Sequence, residues 1–131
     1  MPVPLTSTLP AFEVRIEPSR NLLRIVYRGH VTAQAAKAMA DQAVELVPGL
    51  RLDFTVLTDL TGLEAMDLGC VPHMTRLMEF CKTRGIGTTM RVIPNPRKDI
   101  GLTILANIHY GSSVSIITHR SLTEAEAALS A

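Results

Sequence analysis

The most informative stretch of the sequence is LDFTVLTDLTGLEAMDLGC, residues 52–70. Its first part, residues 53–59, is a bulky run rich in strand formers, which predicts a strand buried on both faces of a sheet. We expect this strand to end at Asp59, with a short connection to Asp67 and a helix opening at Pro72. Open α/β sheets usually bind their ligands and partners beyond such strand ends. The sequence therefore predicts the functional site here.

Length and composition predict one globular domain. The chain has 131 residues, of which 47% are hydrophobic and 4% aromatic. That length is enough for a core without a metal or a disulfide. Three prolines break the apolar residues of the N-terminus, so we expect residues 1–11 to form an extended arm before a single domain at 12–131.

The charge pattern narrows the class of partner. Thirteen Lys/Arg against twelve Asp/Glu leave a net charge of +1, without the basic run that nucleic-acid binding requires. No apolar stretch approaches the ~20 residues of a membrane span, and the N-terminus lacks the pattern of a secretory signal. Cys70 and Cys81 are interpreted as reduced thiols rather than a disulfide. We expect a soluble cytoplasmic protein.

Periodicity predicts the order of the elements as β, β, α, β, α, β, α, β, α. Two strands, 12–17 and 22–27, form an antiparallel hairpin, and alternating helices and strands follow it. The predicted helices begin at Thr32, Pro72, Pro96 and Thr123, and the later strands cover 53–59, 88–93 and 114–118. This order predicts an α/β layer sandwich with a mostly parallel sheet of about five strands, an antiparallel edge hairpin and about four helices.

The central stretch resembles the STAS domain family, named for sulphate transporters and bacterial anti-sigma-factor antagonists. The similar segments are VLTDLT at 56–61, MDLGC at 66–70 and the Arg-Gly pair at 84–85 that ends the following helix. The resemblance covers about residues 12–130. It implies a STAS-like fold and a regulatory, non-enzymatic role that needs no cofactor.

The family's phosphorylated serine does not carry over to this chain. In the antagonists, the second serine of an apolar-Asp-Ser-Ser-Gly motif is the phosphate acceptor, but Leu68 and Gly69 stand in the serine positions here and Cys70 replaces the glycine. No hydroxyl lies between Asp67 and Pro72, so we expect no phosphate on residues 66–70. Thr61 and Thr75 are the nearby hydroxyls to which a switch could have moved.

The residues of this stretch also allow chemical interpretations. Cys70 at a helix N-terminus would have a lowered thiol pKa if it were exposed, and His73 lies one turn on. Asp67 could orient that imidazole or cap the helix, and Asp59 with Asp67 could act as a general acid and base. Small-residue packing and capping are the simpler interpretations. The spacing of Cys70, His73 and Cys81 matches no zinc pattern, so no metal is expected.

A second group of polar residues lies further along the chain. Arg97 and Lys98 lie in the first turn of the predicted third helix, where they could bind an anion together with backbone N–H groups. His109 and Tyr110 precede Gly111 and could donate hydrogen bonds at the edge of a pocket. The alternative for Arg97 and Lys98 is a solvated charged turn with no ligand. The alternative for His109 is a favourable interaction with the helix dipole at the C-terminal end of the helix.

Two functional hypotheses follow. The first is a regulatory module that presents residues 59–75 to a protein partner, and the second is a module that binds a small anionic or lipid-like molecule with the same loops. The predicted partner-binding residues are Asp59, Thr61, Asp67, Gly69, Cys70, His73 and Thr75.

Two further expectations concern burial and self-association. Cys81 falls on the apolar stripe of its helix and should be buried and react slowly with thiol reagents, whereas Cys70 should react faster. The many apolar residues and the exposed hairpin edge predict a symmetric homodimer. The dimer contact would lie either at the hairpin edge or along the predicted second and third helices, which begin at Pro72 and Pro96.

Overall fold

The protein is described by a computed structural model that covers residues 11–93 and 114–130. The strands are β1 (Phe12–Glu17), β2 (Leu22–Val31), β3 (Phe54–Met66), β4 (Ile86–Val92) and β5 (Ser115–His119). The helices are α1 (Ala33–Leu46), α2 (Val71–Thr83) and α3 (Leu122–Ser130). The predicted N-terminal arm, up to residue 10, and the predicted helix at Pro96 lie outside the described residues.

One five-stranded sheet organises the fold, in the order β1-β2-β3-β4-β5. The β1–β2 pair is antiparallel, with Phe12 opposite Tyr27 and Glu17 opposite Leu22, and every other neighbouring pair is parallel. The predicted mostly parallel sheet with an antiparallel edge hairpin is confirmed. Helix α1 connects β2 to β3 and helix α2 connects β3 to β4, as parallel pairing of consecutive strands requires.

Local sequence explains where several elements begin and end. The hydroxyl of Thr32 accepts a hydrogen bond from the Ala35 amide at 3.2 Å, which caps α1 as predicted. Gly85 follows α2 with a φ of +88°, a left-handed conformation that glycine adopts without strain. Asn21 turns the hairpin at a φ of +52° and holds the Arg51 amide through its side-chain oxygen at 2.8 Å.

The prediction that strand β3 ends at Asp59 is wrong. The strand runs on for seven more residues to Met66. Among the described strands, only β2 pairs with that extension, up to Val31 opposite Met66. The β2–β3 register shifts between Val26 and Arg28, so β3 carries a bulge just after Asp59. A bulge interrupts the alternation of apolar and polar residues along a strand. The sequence of residues 60–66 therefore lacks the strand pattern and is interpreted as a connection.

The sheet has apolar side chains on both faces. The larger cluster joins residues of β2 and β3 with α1 and α2, and it includes the fully buried Met39, Leu60 and Leu63. A smaller cluster lies on the α3 side and comprises Leu22, Leu57, Met90, Val92 and Ala125. Within the described ranges, no helix is long and apolar enough to cross a membrane.

Candidate interaction site at the start of helix α2

The candidate site forms where β2 and β3 end side by side. The Asp67 amide donates to the Val31 carbonyl at 3.0 Å, and the chain then makes a 3-10 turn over Leu68–Cys70 that leads directly into α2. The parallel pairing of the two strands thus delivers the MDLGC motif to the carboxyl edge of the sheet. The motif lies beyond a strand end and at a helix start, as predicted, although the strand ends at Met66. That this position is a functional site stays a prediction.

Asp67 contacts a histidine that the sequence analysis did not select. Its Oδ1 lies 2.5 Å from Nε2 of His30, with 46% of the Asp67 side chain and 59% of the His30 side chain exposed. The Asp67 carboxylate makes no capping hydrogen bond to the turn that follows. The two predicted roles for Asp67, helix cap and partner of His73, are therefore replaced by an exposed contact with His30. The adjacency of β2 and β3 was the signal that could have found it.

Apolar side chains protrude beside this pair. The Leu68 side chain is 86% exposed and Val71 is 42% exposed. Exposed aliphatic residues grouped on a surface are one mark of a protein contact. We call His30, Asp67, Leu68 and Val71 the α2-start surface.

Gly69 fixes the turn close to helix α1. A Cβ atom built on Gly69 would lie 2.9 Å from the Cβ of Ala33, closer than two side-chain carbons approach in folded proteins. Any side chain at position 69 therefore forces α1 or the turn to move. The packing has no room for the serine that the STAS motif carries at this place.

Cys70 is buried, so the condition for a lowered thiol pKa is not met. The residue is 0% exposed, and its Sγ lies 3.4 Å from the Val31 carbonyl, to which it donates. Burial, and next the negative charge of Asp67, raise the pKa of the Cys70 thiol. A thiol of this kind stays protonated at neutral pH and is a poor nucleophile.

Cys81 is buried on the apolar stripe of α2, as predicted. It is 1% exposed, and burial raises its pKa to about 12. Both cysteines are free thiols. Their relative rates of labelling stay a prediction. In the part of the chain that the structure describes, no three His, Cys, Asp or Glu side chains are grouped as metal ligands.

Asp59 is separated from the α2-start surface by the length of the β3 extension. Its Oδ1 accepts hydrogen bonds from the Thr61 amide at 2.9 Å and from the Thr61 hydroxyl at 2.5 Å, and the residue is only 8% exposed. The carboxylate thus holds the backbone of the bulge. Asp59 lies opposite Val26 and Met66 opposite Val31, so the bulged extension spans five steps of β2, about 17 Å at about 3.3 Å per residue. Asp67 lies one residue further, and the two carboxylates are roughly 20 Å apart, too far to work as a general acid and base.

The remaining predicted residues flank the surface or lie elsewhere. Thr61 is exposed, and His73 and Thr75 are half-buried in the first turns of α2. Arg97, Lys98, His109 and Tyr110 lie outside the described residues. The structure therefore brings together Asp67, Gly69 and Cys70, with His73 and Thr75 on the adjoining helix, and leaves Asp59 and Thr61 at the bulge.

A small cavity lies between the sheet and helices α1 and α2. Its volume is about 40 Å³, and its walls are mainly apolar, with Thr58, Thr89 and the buried Arg91 as the polar contributors. Pockets for drug-sized ligands have volumes of about 300–1,000 Å³. This cavity is therefore too small for the lipid-like ligand of the second hypothesis.

Comparison with known proteins gives the fold. No family model matches the sequence, and no curated protein is similar to it in sequence. An uncharacterised DUF3478-family protein from Shewanella loihica PV-4, described as having a SpoIIAA-like fold, is similar in structure. It has a TM-score of 0.69 and 16% sequence identity over 92% of this chain and 95% of that one.

Two structures of SpoIIAA are also similar. The unphosphorylated anti-sigma factor antagonist has a TM-score of 0.59 and 16% identity over 92% of this chain and 98% of its own. The phosphorylated form, described as a Bacillus cell fate determinant, has a TM-score of 0.58 and 16% identity over 91% and 99%. The predicted STAS-like architecture is confirmed: this chain has the SpoIIAA-like α/β fold.

Proposed function

We propose that the chain is a non-enzymatic regulatory module that binds a protein partner through the α2-start surface. The observation that carries the proposal is the exposure of Leu68, 86%, beside the exposed His30–Asp67 pair. A protruding leucine with a polar rim is the composition expected at the centre of a protein contact. SpoIIAA, which shares the fold, is an anti-sigma factor antagonist and so acts on another protein.

The proposed contact works without phosphate on residues 66–70. The motif offers no hydroxyl between Asp67 and Pro72, and the 2.9 Å approach to Ala33 leaves no space for one at position 69. In SpoIIAA the phosphorylated form is known as a separate state. Here binding would be controlled by the amount of the chain or of its partner, or by Thr61 or Thr75.

Catalysis is not part of the proposal. The thiol that could have served as a nucleophile is buried and protonated, and the two carboxylates that could have shared a proton are far apart. We further propose that the chain works in the cytoplasm and self-associates as a homodimer. A surface groove of about 340 Å³ beside β1, at the sheet edge, supports self-association.

The test compares two exposed leucines. Leu68 belongs to the α2-start surface, whereas Leu52, 78% exposed, precedes β3 at the other end of that strand. Tagged wild-type, L68A and L52A proteins would be used to capture partners from the native host, with quantification by mass spectrometry. We expect a partner that wild type and L52A retain and that L68A loses by about tenfold or more, as for a contact hot spot.

Equal capture of that partner by L68A would overturn the proposed contact. Both leucines are exposed, so neither truncation to alanine should change the free energy of unfolding by more than about 0.5 kcal/mol. Circular dichroism of the two variants checks this. Phosphate found stoichiometrically on Thr61 or Thr75 in protein from the native host would show that the switch has moved.

A further inference from the structure

Strand β1 lies at the edge of the sheet. It pairs with β2 on one side, and in the described ranges no strand pairs with the other. An unpaired edge offers a row of main-chain donors and acceptors to another strand.

The hydrogen bonds to β2 show which residues of β1 direct their main-chain amides and carbonyls toward the free edge of the sheet. The Arg28 amide donates to the Ala11 carbonyl at 2.8 Å, so Ala11 directs its main-chain groups toward β2. Residues alternate in an antiparallel ladder. The main-chain amides and carbonyls of Glu13 and Arg15 are therefore also directed toward β2. Those of Phe12, Val14 and Ile16 are directed toward the free edge.

The side chains of β1 divide between two faces. Phe12, Val14 and Ile16 are half-buried and pack against the core under α1. Glu13 and Arg15 lie on the opposite face, with 49% and 64% of their side chains exposed. The groove at this edge is lined by four β1 residues, Phe12 to Arg15, and by Gln42 of α1.

We propose that β1 pairs with β1 of a second copy of this chain, antiparallel, about a two-fold axis at Val14. Val14 then faces Val14 of the second copy and Phe12 faces Ile16, and these outward-pointing residues exchange main-chain hydrogen bonds across the axis. Glu13 of each copy lies opposite Arg15 of the other. The two half-buried apolar rows join into one, and the two sheets become continuous.

Charge selects this register over its neighbours. Sliding one strand by two residues in one direction places Glu13 opposite Glu13, and sliding it in the other direction places Arg15 opposite Arg15. Like charges directly opposite each other are destabilising, and opposite charges are stabilising. A slide by one residue opposes outward-pointing residues to inward-pointing ones, and the ladder cannot form. Among these neighbouring registers, the edge is complementary to itself only in the one centred on Val14.

The inference rests on the proposed homodimer and adds its contact and register. The test is a charge exchange in the full chain, measured by sedimentation velocity over a concentration series. E13R places arginine opposite arginine at two related sites, and R15E places glutamate opposite glutamate. Each variant should raise the dimer dissociation constant by about tenfold or more.

The double variant E13R/R15E restores opposite charges and should dimerise within about threefold of wild type. A mixture of E13R with R15E should form heterodimers, because the first carries arginine at both positions and the second glutamate at both. K82E, an exposed charge change on α2, is the matched control for R15E and should leave dimerisation unchanged.

Folding of E13R is checked separately, because Glu13 also contacts Arg28 within the subunit. Restored assembly in the mixture requires both single variants to be folded, so this arm separates misfolding from lost pairing. Three results would overturn the inference: a wild-type monomer at all concentrations, a dimer insensitive to both single variants, or a mixture that forms no heterodimer. Partner capture that depends on Leu68 is measured independently and survives any of them.

Discussion

The two faces of the sheet are covered by helices in different ways. Helices α1 and α2 cover one face through an extensive apolar cluster in which Phe54, Met39 and Leu63 are at most 1% exposed. Helix α3 covers the other face with little apolar surface: Ala125 is its buried residue, and Leu129 packs beside it.

Ion pairs compensate for the small apolar contact of α3. Arg24 of β2 donates to Glu17 at 2.8 Å and to Glu126 of α3 at 2.5 Å, and Arg20 donates to the same two carboxylates at 3.0 Å each. Arg24 is 6% exposed. One face therefore depends on burial of apolar surface, which pH affects little. The other face depends partly on ion pairs, which both pH and salt weaken.

The largest expected effect is loss of a core side chain under α1 and α2. Phe54→Ala should lower the free energy of unfolding by about 3–5 kcal/mol, because it removes a 1% exposed ring and leaves a cavity. Leu129→Ala on α3 should cost no more than about 1 kcal/mol, since that side chain is only partly buried. Urea unfolding of both variants measures the difference. Equal losses would show that the two faces are equivalent.

The next effect tests how closely α1 approaches the MDLGC turn. Gly69→Ser should cost about 1–3 kcal/mol, because its Cβ would lie 2.9 Å from Ala33. Ala33→Gly removes the opposing carbon. The double variant G69S/A33G should therefore recover stability relative to the sum of the two single changes, as a double-mutant cycle in urea would show. Strict additivity would mean that the close approach is not what excludes a side chain.

On the α3 face, Arg24→Gln should lower stability by about 1–3 kcal/mol. The change removes the charged partner that Glu17 and Glu126 share, and hydrogen bonds to charged groups have this magnitude. Arg20→Gln is the matched control. The Arg20 side chain is more exposed, 31% against 7% for Arg24, so its loss should cost clearly less than the loss of Arg24. Comparable losses would remove the special role of Arg24.

The smallest effect is a pH dependence confined to the α3 face. Hydrogen bonds from Arg24, and then from Arg20, lower the pKa values of Glu17 and Glu126 below the ordinary 4.5. A lowered folded-state pKa adds stability that is present above about pH 4.5 and is lost as the pH falls through the folded value. The protection factors of the α3 amides, which correct for the slower intrinsic exchange in acid, should thus fall below pH 4.5 before those of α1. A simultaneous fall in both helices would indicate a single cooperative unit.

The described elements and their order could be predicted from the sequence, because each depends on local signals. The Thr32 cap and the glycine after α2 act within a few residues of the chain. Alternating apolar residues in β1 and the 3.6-residue stripes of α1 and α2 show which side faces a core. From these the STAS-like resemblance followed.

Only the tertiary structure decided the length of β3 and the make-up of the candidate site. The extension of β3 to Met66 depends on pairing with β2 across a bulge, and neither partner shows that pairing by itself. Burial of Asp59 and Cys70, and the contact of Asp67 with His30, depend on which segments meet in the sheet. His30 and Asp67, for example, are 37 positions apart in the sequence. Local patterning carries no information about contacts between residues so far apart.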